Sequence, residues 1–376
     1  MKKKFRIGVN LLHVVPEKVG GSEEYSVQVL RALKKHELTE IEPILFVLDS
    51  FRKAHPDLCE TFETVICKID GENRFKRIIA ESTWLKFKSR GCDGIHHFGG
   101  RLPLLSMKPN AVTIHDLQPL EKPLNFSLLK RILFRHILPS TIRKAGVLVT
   151  VSEPVKEKIT KCFNLDSRFV HVVTTGIEKV EEKPNNPKEP PTIFYPAATY
   201  PHKNHQVLID AFNQLAQIDQ KVCLVMSGGP GRSDKEIKKL VLISPVKERI
   251  FLTGRVSLDE FKTILKDSTL LAFPSTYEGF GIPVLEAMAA GVPVVVAKGT
   301  PAEKLPGEKS LRVEPYDVAG WVEALESLLK NTQLRTEIAE ENIDLAKNYN
   351  WDASAGELIF TWKKIISLKR EKNCAS

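Results

Sequence analysis

Phe273-Pro-Ser-Thr-Tyr-Glu-Gly-Phe-Gly-Ile-Pro-Val-Leu-Glu-Ala-Met-Ala-Ala-Gly-Val-Pro-Val-Val-Val296 carries a strand end, a loop, a helix start and a second strand within 24 residues. The apolar run Leu270–Phe273 stops at Pro274, Gly279 and Gly281 open a turn, and Pro283 suits the first turn of a helix, where its missing N–H costs nothing. The run Val292–Ala297 then reads as the next strand. Strand, helix, strand in that order implies parallel pairing through a right-handed crossover. At the helix start, the N–H groups of Gly279, Phe280, Gly281 and Ile282 and the helix dipole would together offer a place for a pyrophosphate. Glu278 precedes the loop and Glu286 lies inside the helix, with seven residues between them. A carboxylate beside phosphate is electrostatically unfavourable unless it accepts hydrogen bonds from hydroxyls, and sugar and ribose hydroxyls are the obvious donors. Two solvated glutamates around a packing turn are the plainer alternative, but that leaves the paired glycines and the proline without a purpose.

The same alternation extends through the chain. Strand-like runs fall at Phe5–Leu11, Ile44–Leu48, Val112–His115, Val147–Val151 and Val170–Thr174, then at Thr192–Tyr195, Val222–Met226 and Ile250–Thr253. Helical periodicity marks Ser22–Lys35, Asn204–Ile218 and Leu258–Lys266. The expectation is α/β architecture with two doubly wound, Rossmann-like domains facing a central cleft. Between them Glu178-Lys-Val-Glu-Glu-Lys-Pro-Asn-Asn-Pro-Lys-Glu-Pro-Pro191 has four prolines and almost no apolar side chain, the composition of a linker. The expected boundaries are a first domain over 1–180, a linker over 181–191, a second domain over 192–360, and a C-terminal helix over 361–376 that crosses back to the first domain.

Composition excludes several classes. With 376 residues, 42% apolar and 27% charged, the chain is globular and long enough for two or three cores. No apolar run approaches the roughly 18 residues of a membrane span. The start, Met1-Lys-Lys-Lys-Phe5, lacks the apolar segment of a signal peptide, so a cytoplasmic protein is expected. Six scattered cysteines have neither zinc-site spacing nor the density of a disulfide framework, which fits a reducing compartment. No Asp-x-Asp pair is present to clamp a metal–diphosphate, so no metal dependence and no cofactor are expected. The absence of Gly-x-Gly-x-x-Gly after the first strand disfavours a dinucleotide oxidoreductase.

Glu278, the Gly279-Phe280-Gly281 turn, Pro283 and Glu286-Ala287-Met288-Ala289 resemble the Glu–seven–Glu motif of retaining, family 4 (group 1) glycosyltransferases, which have the GT-B fold. The resemblance implies that Glu278 contacts the donor sugar and Glu286 holds the ribose hydroxyls of the nucleotide. Other segments follow in the family's order. Gly20-Gly21 resembles the loop that approaches the donor phosphates, and His115-Asp116 the strand-end pair whose histidine contacts the donor sugar. Ser152 lies in a Val-Ser-Glu turn and either faces the acceptor or caps a helix. In Tyr195-Pro-Ala-Ala-Thr-Tyr-Pro-His-Lys-Asn-His205, Lys203 matches the family lysine, which would neutralise the leaving diphosphate. The family arginine falls on Ala198, so one expected cation is absent; Arg255 is either its substitute or a surface arginine. The Pro-His-Lys-Asn-His form is similar to bacterial mannosyltransferases of surface-polysaccharide assembly. Gly228-Gly229-Pro230 and Phe251–Val256 complete the resemblance, which covers most of residues 1–360.

The resemblance thus implies a hexosyltransferase, with mannose the guessed sugar, using a GDP- or UDP-sugar and a glycan or lipid-linked acceptor. Two rivals stand beside it: a non-hydrolysing nucleotide-sugar epimerase of the same architecture, and a catalytically weak binding homologue, suggested by Ala198. Charge adds a separate expectation. Residues 1–180 hold 30 Lys/Arg against 20 Asp/Glu, whereas residues 181–376 hold 25 against 26. Arg74, Lys76, Arg77, Lys86, Lys88 and Arg90 lie in one helical stretch, and Lys130, Arg131, Arg135, Arg143 and Lys144 in another, interleaved with apolar residues. These are either basic solvent faces or a docking surface for an anionic bilayer on the inner face of the plasma membrane. Nucleic acid is not expected, because no recognition motif accompanies the charge.

Overall fold

Strands β1 (Phe5–Asn10), β2 (Ile41–Leu48), β3 (Glu63–Cys67), β4 (Gly94–His97), β5 (Asn110–Ile114), β6 (Val147–Thr150) and β7 (Val170–Val172) form one parallel sheet in the order β3-β2-β1-β4-β5-β6-β7. A second parallel sheet contains β8 (Thr192–Pro196), β9 (Cys223–Ser227), β10 (Ile250–Gly254), β11 (Leu270–Phe273), β12 (Val294–Ala297) and β13 (Leu311–Val313), in the order β10-β9-β8-β11-β12-β13. This computed structural model describes residues 4–374 other than 17, 19, 107, 108 and 127, with side chains for all of these except 124, 129, 130 and 371–374. Both sheets reverse strand order beside their first strand, at β1/β4 and at β8/β11. In doubly wound sheets such a switch point, outside the carboxyl ends of the strands, is where ligands bind.

Burial follows the parallel arrangement. Ile7 and Val9 of β1, Val112 and Ile114 of β5, and all of β11 and β12 are buried, as strands covered on both faces by helices must be. The helix Glu153–Phe163 packs Val155 and Ile159 into the core cluster that contains Val112, Ile114 and Leu148.

The chain divides into unit 1, Met1–Gly176 with Asn350–Ser376, and unit 2, Ile177–Tyr349. These bounds differ from the sequence expectation at both ends of unit 2. The proline-rich segment is part of unit 2: Glu181 N donates to Ala289 O at 2.8 Å, Asn185 N to Gly291 O at 3.0 Å, and Lys188 N to Asp267 O at 3.0 Å. A segment poor in apolar side chains is thus held by its backbone, a tie that composition does not reveal. At the other end the second domain stops at Tyr349 rather than at 360, and the whole helix Trp351–Cys374 belongs to unit 1. It buries Ala355, Leu358, Trp362, Ile365 and Ile366 as one stripe. Trp362 Nε1 donates to His96 Nδ1 at 3.0 Å, and Lys369 pairs with Asp93.

Candidate active site

In unit 2 the loop after β8 and the loop after β11 leave the sheet on either side of the switch point. The first turns through Pro201–Lys203 and reverses at Asn204, which takes the left-handed conformation (φ 54°) and starts the helix His205–Ile218. Asn204 Nδ2 donates to Pro274 O at 3.2 Å and to Pro315 O at 2.6 Å. Thr276 N donates to His202 O at 2.8 Å, and the buried Tyr195 hydroxyl donates to Lys203 O and lies 3.1 Å from Ser275 Oγ. Together these ties fix the backbone that carries Lys203.

Lys203 Nζ meets Glu278 Oε1 at 2.6 Å, with side chains only 19% and 12% exposed. Ions removed from water to this extent are held by each other. Burial beside this pair lowers His202 to about 4, with the Lys203 charge adding to the effect, so its ring is neutral near pH 7. His205 is likewise lowered to about 4, mainly by burial, and its Nε2 lies 3.1 Å from Ala197 O.

The loop then reaches the helix Ile282–Ala289, capped by Gly281 at φ +115°. A side chain at 281 would be strained by that φ, and its Cβ would lie 2.6 Å from Ala302 Cβ. Gly281 O accepts from Val284 N at 3.0 Å and Leu285 N at 3.2 Å, the first bonds of the helix, whose leading N–H groups have no partner within it. Phe280 is buried, with its ring 5.8 Å from that of Tyr349, so only its backbone is available to a ligand. Glu286 is half-buried one turn into the helix. Lys203, Glu278, the 279–282 turn and Glu286 therefore form one constellation within unit 2. Ala198 is half-buried, and the loop that bears it packs against Gly228–Gly231, with Thr199 N donating to Gly229 O at 3.2 Å. Arg255 is exposed just beyond β10.

The unit 1 candidates are more dispersed. Gly20 caps the helix Gly21–Leu33. Ser152 is buried and caps the helix Glu153–Phe163, with its hydroxyl accepting from Val155 N at 3.4 Å. His115 and Asp116 follow β5 and line a cavity of about 220 Å³. His115 Nε2 lies 2.9 Å from Phe98 O and so carries the proton; burial lowers its pKa and keeps the ring neutral. Asp116 Oδ1 accepts from Gln118 N at 2.8 Å.

The same cavity holds residues that sequence reading misplaced. Arg74 and Arg77, read as part of either a basic solvent face or a bilayer-docking surface, turn into it from the helix Arg74–Ser82 and meet Arg101, Glu81 and His13. Phe75 and Ile79 of that helix face outward instead, 70% and 61% exposed. Arg101, which pairs with Glu81, and His13 lie too far in sequence from these arginines for any spacing to have grouped them. Among the described residues no cluster of three His, Cys, Asp or Glu side chains could hold a metal.

Two Rossmann-like units, the second with a Lys–Glu pair and a glycine-capped helix at its switch point, make up the architecture of a GT-B enzyme. Solved structures agree on the fold. Sucrose-phosphate synthase of Thermosynechococcus elongatus superimposes with a TM-score of 0.77 at 16% identity over 97% of this chain and all of that one. Anabaena HepE, solved in complex with UDP-glucose, gives 0.75 at 16% identity, covering 95% of this chain and 99% of that chain. Residues 19–180 match the family described as Glycosyltransferase Family 4, and residues 176–344 that described as Glycosyl transferases group 1. The chain belongs to the group 1 glycosyltransferases and is an enzyme of that class. An O-antigen chain mannosyltransferase of Salmonella typhimurium is 27% identical over 361 residues, 91% of this chain and 95% of its own length. Of the readings set out from sequence, glycosyl transfer is the one its relatives support.

Proposed function

We propose that this protein is a retaining hexosyltransferase that moves a sugar, mannose by similarity to its O-antigen relative, from a GDP- or UDP-sugar to a glycan or lipid-linked saccharide. The buried Lys203–Glu278 pair carries this reading, because it sets one cation and one carboxylate side by side at the head of a helix N-terminus. Glu278 positions the donor sugar, Lys203 and the amides of 279–282 stabilise the departing diphosphate, and Glu286 holds the ribose. His115 meets the sugar, Gly20 and Gly21 admit the phosphates, and Asp116 lies on the acceptor side. Ser152, buried as a helix cap, acts only through the turn it holds. Charge on the leaving group is met without a metal.

Peripheral docking on an anionic bilayer, at the inner face of the plasma membrane, belongs to the same proposal. No described helix is long and apolar enough to cross a membrane. Exposed Phe75, Ile79, Phe87, Leu128 and Ile132 accompany Lys76, Lys86, Lys88 and Arg135, the mixed surface that lies on a lipid interface. Arg131 is less available than its sequence position suggests, because its Nε donates to Pro123 O at 2.9 Å and Phe126 O at 3.1 Å. Lys130 lies outside the described side chains.

The test is a panel of GDP- and UDP-sugars scored by thermal protection and slow donor hydrolysis, followed by NMR of the product anomer. One donor should raise the melting temperature by mass action and give product of unchanged anomeric configuration. No protection by any sugar nucleotide, or an inverted product, would overturn the proposal.

A further inference from the structure

The unit 1 cavity gathers three guanidinium groups, from Arg74, Arg77 and Arg101, at the carboxyl ends of β1, β4 and β5. Two carboxylates, Glu81 and Asp116, also line it. Arg101 pairs with buried Glu81, and Arg77 Nη1 donates to His13 O at 3.0 Å. Arg74 lies 5.0 Å from the Phe134 ring centroid and, among the described residues, makes no hydrogen bond. Burial, together with repulsion from the neighbouring arginines, holds Arg74 below the usual arginine range. Grouping desolvated like charges serves no packing purpose that apolar side chains would not serve better.

A second observation is independent of the arginines. His13 lines the same cavity, and both its ring nitrogens are buried without a hydrogen-bond partner. Gly99 permits this placement, since a Cβ there would lie 2.9 Å from the His13 Cβ. A neutral imidazole always carries one N–H, so an unmet donor sits beside three cations.

The helix itself is inverted. Arg74, Arg77 and Glu81 share its cavity face at i, i+3 and i+7, while Phe75 and Ile79 share its solvent face at i and i+4. A cationic recess beside exposed apolar side chains complements one kind of molecule, an amphiphile with an anionic head. Three converging guanidinium groups suit a tetrahedral phosphoryl group, whose oxygens point in several directions, better than a planar carboxylate.

We propose that the cavity is a subsite for the phosphate or diphosphate head of a lipid-type acceptor, with its chain lying along Phe75 and Ile79. The inference rests on the reading of unit 1 as the acceptor side. Phosphate recognition would secure the acceptor beside His115.

The test uses the full chain labelled with ¹³C at histidine Cε1. Inorganic diphosphate should shift the His13 resonance, identified by its loss in His13→Asn, and the titration gives the affinity at this cavity alone. Arg74→Gln should weaken that affinity by about tenfold or more, as loss of a charge-assisted contact does. Arg74→Lys should fall between the two, and it serves as the variant if Arg74→Gln does not fold. A His13 resonance unmoved by diphosphate, or equal affinity in Arg74→Gln, overturns the proposal. A second arm separates lipid from free phosphate. Phosphatidylcholine vesicles carrying farnesyl diphosphate should sediment the protein, and Phe75→Ser/Ile79→Ser should abolish this while keeping the diphosphate shift. Equal binding to plain vesicles overturns the lipid assignment. Thermal protection by sugar nucleotides, read in parallel, reports on unit 2, so failure of the donor reading is distinguishable from failure of this one.

Discussion

Replacing Lys203 by Ala strands the Glu278 carboxylate, which is only 12% exposed and has Lys203 Nζ at 2.6 Å. Removing one partner of a buried pair costs about 3–5 kcal/mol, and the residual exposure here favours the lower end. For a unit the size of 177–349, about 3 kcal/mol corresponds to a fall of roughly 6–12 °C in its melting transition. Removing both charges, in Lys203→Met/Glu278→Gln, should restore most of that loss, because no unpaired ion remains. A double-mutant cycle followed by calorimetry then gives the coupling directly. Transfer should fall by roughly 10²–10³ in Lys203→Ala, as when a transition-state electrostatic donor is lost. Glu278→Gln has the opposite effect on binding: it frees Lys203, so a nucleoside diphosphate should bind more tightly while transfer declines. The argument is refuted if Lys203→Ala melts within about 2 °C of the wild type and the cycle shows additive effects, since the pair would then carry no buried charge.

Glu286→Ala should weaken donor binding by about 1.5–3 kcal/mol, the range for hydrogen bonds to a charged group, when titrated with the protecting sugar nucleotide; unchanged affinity in a folded variant removes it from the site. Trp362→Phe should destabilise unit 1 by about 2 kcal/mol in urea unfolding, because it leaves His96 Nδ1 buried without its 3.0 Å donor. Acid should do the same through His13, His96 and His97, each lowered by burial from 6.5 to about 3. Their folded pKa values are depressed, so this stability is complete above the unfolded value of 6.5 and is lost as pH falls from there towards 3, about 2 kcal/mol per histidine by pH 5; urea midpoints that do not differ between pH 7.5 and 5 would count against it.

Much of the doubly wound pattern was legible because buried parallel strands must be apolar. Leu270–Phe273 and Val294–Ala297 admit no polar residue, so composition marks them directly. The strands without such a signal are those where other forces decide. β3 lies at a sheet edge and begins at exposed Glu63. β13, three residues at the opposite edge of the other sheet, is too short for periodicity to register. β4 contains His96 and His97, both buried; His96 is satisfied by Thr113 Oγ1 at 2.9 Å and by Trp362, partners 17 and 266 residues away. No local window contains that information.

The constellation in unit 2 was readable for a related reason: a turn, a cap and two carboxylates fall within one short stretch, and backbone geometry alone brings them together. The pairing of Lys203 with Glu278 across 75 residues was not readable, and it changes the meaning of both residues. On the proposed reading the donor diphosphate must compete with Glu278 for Lys203, because the two side chains already meet at 2.6 Å.

The uneven charge of the chain takes on a different meaning once burial is known. An excess of Lys and Arg confined to residues 1–180 suggests a uniformly basic surface. Part of it is turned inward instead, at Arg74, Arg77 and Arg101, while in unit 2 Lys203 is held in balance with the Glu278 carboxylate. Cations partly withdrawn from water are screened far less by salt than exposed ones. The two populations of charge should therefore separate under ionic strength. Attraction of the exposed lysines to a bilayer decays as the Debye length shortens to about 8 Å and below, whereas recognition of an anion inside the cavity persists. If both proposals hold, one excess of charge serves a weak, salt-sensitive approach to a surface and a firmer grip on the molecule found there.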